Sequence, residues 1–107
     1  MRQFSPAELK AHLEASTDPP LLLDVREPWE FEVCRIEGSE LVPMRQVPER
    51  AADLDPERET VVICHHGVRS YQVALFLERQ FGFSNVINLA GGVAAWARDL
   101  DPQMPTY

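Results

Sequence analysis

The sequence has few cysteines, no excess of basic residues and no long apolar run. Its two cysteines, Cys34 and Cys64, lie in very different local contexts, so neither a disulfide scaffold nor a zinc site is indicated. Ten basic side chains against seventeen acidic ones give a formal net charge of −7, which argues against nucleic acid as a partner because phosphate binding needs a basic face. The longest apolar run is far too short to span a bilayer, so no membrane partner is expected.

The length and the first residues set expectations for organisation and compartment. A chain of 107 residues is long enough for one hydrophobic core, and we expect a single domain over residues 1–107 with no linker or internal repeat. The start of the chain, from Met1 to Pro6, has no apolar segment typical of a secretion signal. We therefore expect a cytoplasmic protein with reduced thiols.

The hydrophobic pattern predicts alternating helices and strands. In chain order these are a helix that begins at the capping box Ser5–Glu8 and runs to the region of Glu14, a buried strand at 21–25, a short helix from Pro28, a brief strand at 40–43, a helix at 46–54, a strand at 60–63, a helix from Ser70 to Phe81, a strand around 86–88 and a last helix after Gly91-Gly92. This order is typical of an α/β fold whose parallel sheet is covered by helices on both faces. Ligands of such sheets bind beyond the carboxyl ends of the strands.

The segment Cys64–Ser70 follows the predicted strand at 60–63 directly and leads into a helix. The backbone N–H groups of such a loop, and of the first turn of the helix, have no partners within the helix and can converge on an anion. A thiol held among them loses its proton readily, because the N–H dipoles stabilise the thiolate. The sequence therefore predicts that Cys64 is a nucleophile in an anion-binding loop.

Several segments occur in an order and at spacings that together resemble the rhodanese domain over nearly the whole chain. They are Leu23–Arg26, Glu30-Phe31, Ile36–Ser39, the Cys64 loop, and Leu89–Val93 followed by Trp96. The resemblance implies a three-layer α/β/α fold with a five-stranded parallel sheet. It also implies sulfur transfer through a persulfide on Cys64, with residues 65–70 binding the substrate and with no cofactor and no metal.

The resemblance further implies a small anionic sulfur donor, such as thiosulfate, or another persulfide, and a thiol or cyanide acceptor. A short chain is expected to have an open active site, which suits a protein acceptor such as thioredoxin or a sulfur carrier. One segment departs from the family, which commonly has Gly-His where this chain has Cys34-Arg35. We expect this departure to alter a surface turn, and we expect Cys34 to be an ordinary thiol rather than one that resolves a persulfide.

The other loop residues have separate expected roles. His65 and His66 contribute mainly their backbone N–H groups, with exposed side chains, and Val68 adds a further N–H group. Gly67 permits the positive φ that a tight anion-binding loop often requires. Ser70 is expected to cap the following helix, and the alternative is that it donates a hydrogen bond.

The charged residues around the loop allow two interpretations. Arg69 ends the loop with a permanent positive charge, and we expect it to orient an anionic donor or to stabilise the thiolate. The alternative for Arg69 is a solvated arginine at the start of a helix. Arg26 and Glu30 are expected to pair with each other at helical spacing, in a structural role.

Three other functions fit parts of this pattern less well. Cysteine phosphatases also hold a thiolate in a loop, but the four residues between Cys64 and Arg69 are one fewer than the phosphatase signature has, and a phosphoryl group needs the longer loop. A non-catalytic docking module is a second alternative, which the intact Cys64 argues against. A third is metal binding by Cys64, His65 and His66, but neighbouring ligands on one loop converge poorly on a tetrahedral centre.

Overall fold

The computed structural model describes all 107 residues. Its strands are β1 (Arg2–Phe4), β2 (Leu21–Asp24), β3 (Glu40–Leu41), β4 (Thr60–Ile63) and β5 (Val86–Leu89). Its α-helices are α1 (Pro6–Ala15), α2 (Pro28–Val33), α3 (Val47–Arg50), α4 (Val68–Phe81) and α5 (Gly92–Asp99), with 3-10 turns at Met44–Gln46 and Ala51–Asp53 on either side of α3. None of these helices combines the length and the apolar character that crossing a membrane requires.

The five strands form one parallel sheet in the order β1-β5-β4-β2-β3. The central strand, β4, is buried along its whole length, as its β-branched sequence favours. Because the strands are parallel, the segments that follow β2, β4 and β5 meet at one end of the sheet. The predicted parallel α/β sheet is confirmed, and Cys64 follows its central strand.

Two hydrophobic clusters separate the three layers. One cluster lies on the side of α3 and α4 and includes Val62 and Leu77. The other lies on the side of α1 and α5 and includes Leu9 and Val61. Successive residues of β4 alternate between the two clusters, since neighbouring strand residues point to opposite faces. The predicted three-layer arrangement is confirmed.

Some local predictions differ from the structure. No strand was predicted at Arg2–Phe4, because three mostly exposed residues show no readable alternation, yet this segment pairs with β5. The helix predicted at 46–54 is divided into α3 and two 3-10 turns. Pro48 has no N–H group to donate to the carbonyl of Met44, so that turn keeps the shorter bond from Val47.

Candidate active site

Cys64 lies at the carboxyl end of β4, and only 1% of it is exposed. The backbone N–H of Gly67 donates to its Sγ at 3.1 Å. The thiol itself donates to Oγ of Ser70 at 3.2 Å. The loop therefore folds back over the sulfur and gives it one fixed backbone donor and one hydroxyl neighbour.

Ser70 does not cap α4, so the prediction of a capping role is wrong. Gly67, with a φ of 93°, occupies the cap position, and the helix begins at Val68 rather than at Ser70. The earlier start places Ser70 inside the first turn with its side chain buried. Its hydroxyl then donates to Oδ1 of Asn88 at 2.5 Å instead of to a backbone group of the helix.

Asn88, in β5, holds the loop from the side of the sheet, a role that is not predicted from the sequence. Its amide donates to the carbonyl of Gly67 at 3.2 Å and to Oε1 of Gln3 at 2.9 Å. One buried amide thus connects the loop to two strands. The sequence does contain one indication of this role, since Asn88 is a polar residue within the otherwise apolar strand Val86–Leu89. A buried amide needs hydrogen-bond partners.

Gly92 allows α5 to approach the loop closely. The N–H groups of Val93 and Ala94 donate to the carbonyls of Cys64 and His65 at 2.9 and 3.0 Å. A Cβ atom on Gly92, whose φ is 59°, would lie 2.3 Å from the carbonyl oxygen of Cys64. The left-handed backbone and the lack of space both restrict this position to glycine. The first turn of α5 therefore anchors the loop beside the sulfur.

Arg69 forms a two-point ion pair with Glu30. Its Nη1 and Nη2 atoms donate to the two carboxylate oxygens, each at 2.8 Å. The hydrogen bonds from Arg69 lower the pKa of the buried Glu30 to about 2, and the same bonds raise the pKa of Arg69. Arg69 thus lies at the end of the loop, as the sequence places it, but a buried carboxylate compensates its charge.

The predicted pairing of Arg26 with the carboxylate of Glu30 is wrong. The buried guanidinium of Arg26 donates to the carboxylate of Asp24, with the shortest bond from Nη2 to Oδ2 at 2.7 Å. It reaches only the backbone carbonyl of Glu30, at 3.2 Å. Helical spacing indicated the wrong partner because Arg26 precedes α2 instead of lying within it. The carboxylate of Glu30 is therefore left for Arg69.

His65 is half-buried in a stack of three rings, whereas an exposed side chain was predicted. Its ring centroid lies 3.9 Å from that of His66 and 4.1 Å from that of Tyr107. Burial lowers the pKa of His65, and the neighbouring His66 lowers it further, which favours the neutral ring. His66 is exposed, as predicted. Tyr107 belongs to the C-terminal tail, to which the sequence analysis gave no role at the site.

Cys34 is buried, with 8% of it exposed, whereas the neighbouring Arg35 is exposed. Nη1 of Arg26 donates to Sγ of Cys34 at 3.8 Å, and Nη2 donates to the carbonyl of Cys34 at 2.7 Å. Cys34 belongs to the cluster on the side of α1 and α5, whereas Cys64 belongs to the cluster on the side of α4. The two free thiols therefore lie on opposite faces of the sheet.

Two openings flank the loop. A cavity of about 150 Å³ lies between His65, Cys34 and the tail residue Tyr107. A groove of about 450 Å³ begins at Gly67 and follows the exposed side of α4 past Val68 and Tyr71. Both openings are lined by residues of the loop, and neither is lined by Cys64 itself.

These features define a class of protein: a parallel α/β domain with a cysteine after its central strand, held in a loop whose backbone donates to the sulfur. The family model of the Rhodanese-like domain matches residues 5–99. The chain therefore belongs to the rhodanese-like domain family, which confirms the resemblance seen in the sequence.

Individual relatives and a solved structure agree with this assignment. The chain is 39% identical over 84 residues to a sulfurtransferase of Allochromatium vinosum, and the match covers 78% of each chain. It is 43% identical over 94 residues to "Rhodanese-like/PpiC domain-containing protein 12, chloroplastic" of Arabidopsis thaliana and 35% identical over 97 residues to "Adenylyltransferase and sulfurtransferase MOCS3-2" of Zea mays, with 84% of this chain covered in both matches. The chain spans 31% and 20% of the lengths of these two plant proteins. The crystal structure of a rhodanese-related protein from Thermoplasma volcanium is similar, with a TM-score of 0.82 at 31% identity and 94% of both chains covered.

Proposed function

We propose that this chain is a sulfurtransferase that moves a sulfane sulfur from thiosulfate or another persulfide donor to a thiol or cyanide acceptor, with Cys64 as the carrier. The observation that carries the proposal is the hydrogen bond of 3.1 Å from the N–H of Gly67 to Sγ of Cys64. A fixed backbone donor favours negative charge on the atom that it faces, without any movement during the reaction. Relatives that are named sulfurtransferases support the same class of reaction.

The reaction divides into two displacements at one nucleophile. The thiolate of Cys64 attacks the outer sulfur of thiosulfate, the S–S bond of the donor breaks, and sulfite leaves with the electron pair. The acceptor thiolate then attacks the terminal sulfur of the Cys64 persulfide. That S–S bond breaks, the acceptor keeps the sulfur, and the thiolate of Cys64 is restored. Both the thiolate and the persulfide are anions, so the same donors serve each state.

Residues 65–70 form the substrate-binding loop in this proposal. The N–H groups of Val68 and Arg69 lie in the first turn of α4, where no carbonyl within the helix can accept from them. They remain for the terminal sulfur or for the oxygens of an anionic donor. Because Glu30 compensates the charge of Arg69, backbone dipoles rather than a free cation supply most of the attraction at this loop.

The acceptor in this proposal is a thiol carried by a protein, such as thioredoxin or a sulfur-carrier protein. The groove beside the loop is open, and Val68 and Tyr71 expose apolar side chains along it, which suits contact with a protein surface. The relative from Zea mays is named for both adenylyl transfer and sulfur transfer, so a rhodanese-like segment occurs there beside a second activity. Both cysteines are free, which fits the reducing conditions of the cytoplasm, where we place the protein.

Intact mass spectrometry tests the proposal directly. After incubation with thiosulfate, and separately with glutathione persulfide, the protein should gain one sulfur atom. Reduced thioredoxin should then remove that atom, and the released sulfide identifies a thiol acceptor. A protein that gains no sulfur from either donor, but hydrolyses an aryl phosphate at a steady rate, would instead be a cysteine phosphatase.

A further inference from the structure

The C-terminal tail returns over the outer side of the Cys64 loop and places Tyr107 there. The hydroxyl of Tyr107 donates to Oε2 of Glu30 at 2.8 Å and accepts from Nη1 of Arg26 at 3.0 Å. Its ring is stacked on His65, with centroids 4.1 Å apart and planes inclined by 21°. The edge of the same ring meets Trp29, with centroids 5.2 Å apart. One side chain of the tail thus contacts the loop and the segment that supports it.

These contacts reach the loop at both of its ends. His65, which stacks on Tyr107, is the first residue after Cys64. Arg69, near the other end, is held by Glu30, and Oε2 of that carboxylate accepts from both Arg69 and Tyr107. The contacts of Ser70 and Asn88 hold only the inner side of the loop, toward the sheet. On the outer side, Tyr107 contacts His65 directly and reaches Arg69 through the carboxylate of Glu30.

The protonation states make the bridge to Glu30 a strong one. Partial burial of its ring, together with the carboxylate of Glu30, raises the pKa of Tyr107 to about 12. The hydrogen bonds from Arg69 hold the pKa of Glu30 at about 2. At neutral pH the hydroxyl is therefore protonated and the carboxylate is ionised, so the bond between them is charge-assisted and stronger than one between neutral groups.

We propose that Tyr107 is a positioning residue of the active site, which holds the outer side of the Cys64 loop in the conformation that presents the N–H of Gly67 to the sulfur. The inference rests on the proposed function, since the step that it affects is formation of the Cys64 persulfide. Tyr107 makes no hydrogen bond to Cys64. It acts through His65 at one end of the loop and through Glu30 and Arg69 at the other.

Two substitutions distinguish the contribution of the Tyr107 ring from that of its hydroxyl, and a substitution at another residue serves as a control. Tyr107→Ala removes both contacts, whereas Tyr107→Phe keeps the stacking on His65 and removes the bridge to Glu30. Gln103→Ala changes an exposed residue of the same tail that makes no hydrogen bond. For each protein we would measure the single-turnover rate of persulfide formation with thiosulfate, the rate at which iodoacetamide alkylates Cys64 at neutral pH, and the thermal midpoint. Peptide mass spectrometry distinguishes alkylation of Cys64 from that of Cys34.

We expect Tyr107→Ala to slow both persulfide formation and alkylation by about tenfold, and Tyr107→Phe to slow them by about threefold, which is what loss of one or two contacts of this kind costs. Gln103→Ala should match the unmodified protein. A merely structural role would lower the thermal midpoint and leave both rates unchanged at temperatures well below it.

Two results would overturn the inference. Rates in Tyr107→Ala that equal those in Gln103→Ala remove the positioning role altogether. Rates in Tyr107→Phe that equal those of the unmodified protein remove the hydroxyl bridge. Failure of the proposed function looks different, because the unmodified protein would then gain no sulfur, while the alkylation rates would still report on the loop.

Discussion

The two cysteines of this chain differ more in their surroundings than in their burial, since 8% of Cys34 and 1% of Cys64 are exposed. Sγ of Cys34 faces the guanidinium of Arg26 at 3.8 Å, after a short helix. Sγ of Cys64 faces a backbone N–H at 3.1 Å, in a loop that opens onto a groove. Burial and a neighbouring cation are therefore present at Cys34 as well. What distinguishes Cys64 is the loop of backbone donors at the end of a central strand.

Removing each thiol in turn gives the largest expected contrast. Cys64→Ala should abolish the gain of sulfur from thiosulfate, because no other group at the loop can carry it. Cys34→Ser should retain most of the activity, since Cys34 lies on the opposite face of the sheet. Turnover assays and intact mass spectrometry measure both effects. If the Cys64→Ala protein still formed a persulfide, Cys34 would be the sulfur carrier and Cys64 would not.

The second prediction alters the loop and leaves both thiols in place. Gly92→Ala should lower the free energy of unfolding by about 1–3 kcal/mol and the rate of sulfur transfer by at least about tenfold, because its Cβ would lie 2.3 Å from the carbonyl oxygen of Cys64. Gly82→Ala is the matched control, since its φ of 69° is also left-handed but its Cβ would meet nothing within 4 Å. Urea unfolding and turnover assays give the two quantities. If Gly92→Ala and Gly82→Ala lower the rate of sulfur transfer by the same factor, backbone strain explains the loss of activity. Close packing against the Cys64 loop then adds nothing to it.

A third prediction concerns the cation on the side of Cys64. Because Glu30 compensates the charge of Arg69, Arg69→Ala should weaken turnover of thiosulfate by about one decade, or about 1.4 kcal/mol, and turnover of an uncharged organic trisulfide by nearly as much. The control is Arg45→Ala, which breaks an exposed pair with Glu27 that contributes little. Steady-state kinetics with both donors measure the difference. A loss with thiosulfate at least tenfold larger than the loss with the trisulfide would instead mean that Arg69 acts directly on the charge of the donor.

The fourth prediction concerns the stability of the protein in acid and depends on Glu30, which joins the two regions. Its carboxylate binds Arg69, while its backbone carbonyl binds Arg26 beside Cys34. The pKa of Glu30 falls from its ordinary value of 4.5 to about 2 in the folded protein, so its contribution to stability is complete above pH 4.5 and is lost as the pH falls toward 2. We expect a loss of about 2–3 kcal/mol over that range.

Glu30→Gln provides the control for this prediction, because the amide does not titrate. Urea unfolding at several pH values between 4.5 and about 2 should show a flatter decline for the variant than for the unmodified protein. Parallel declines would show that the folded carboxyl titrates normally and that its pair with Arg69 adds nothing to stability.

Features decided by neighbouring residues could be predicted from the sequence. The capping box at the start of α1 is present, with Ser5 and Glu8 bonded to each other's backbone N–H groups. The central strand and the position of Cys64 directly after it also follow from a short stretch of residues. Such patterns are readable because every interaction lies within one turn or one strand.

The partners of the loop could not be predicted in the same way. Arg69 is 39 residues from Glu30, and Tyr107 is 77 residues from it, so no local spacing connects them. Their pairing depends on the way in which the sheet brings the segments after β2 and β4 together with the tail. Asn88 was readable only as a polar residue within an apolar strand, and its contact with Gly67 required the fold.

The lengths of the strands also bear on how copies of this protein behave toward each other. The outermost strands, β1 and β3, have three and two residues, whereas each strand between them has four. The unpaired N–H and C=O groups along the rim of a sheet are a template on which a second molecule can add a strand. Edges this short offer few such groups, so strand addition between molecules gains little here, and the exposed charged residues Arg2 in β1 and Glu40 in β3 disfavour it further.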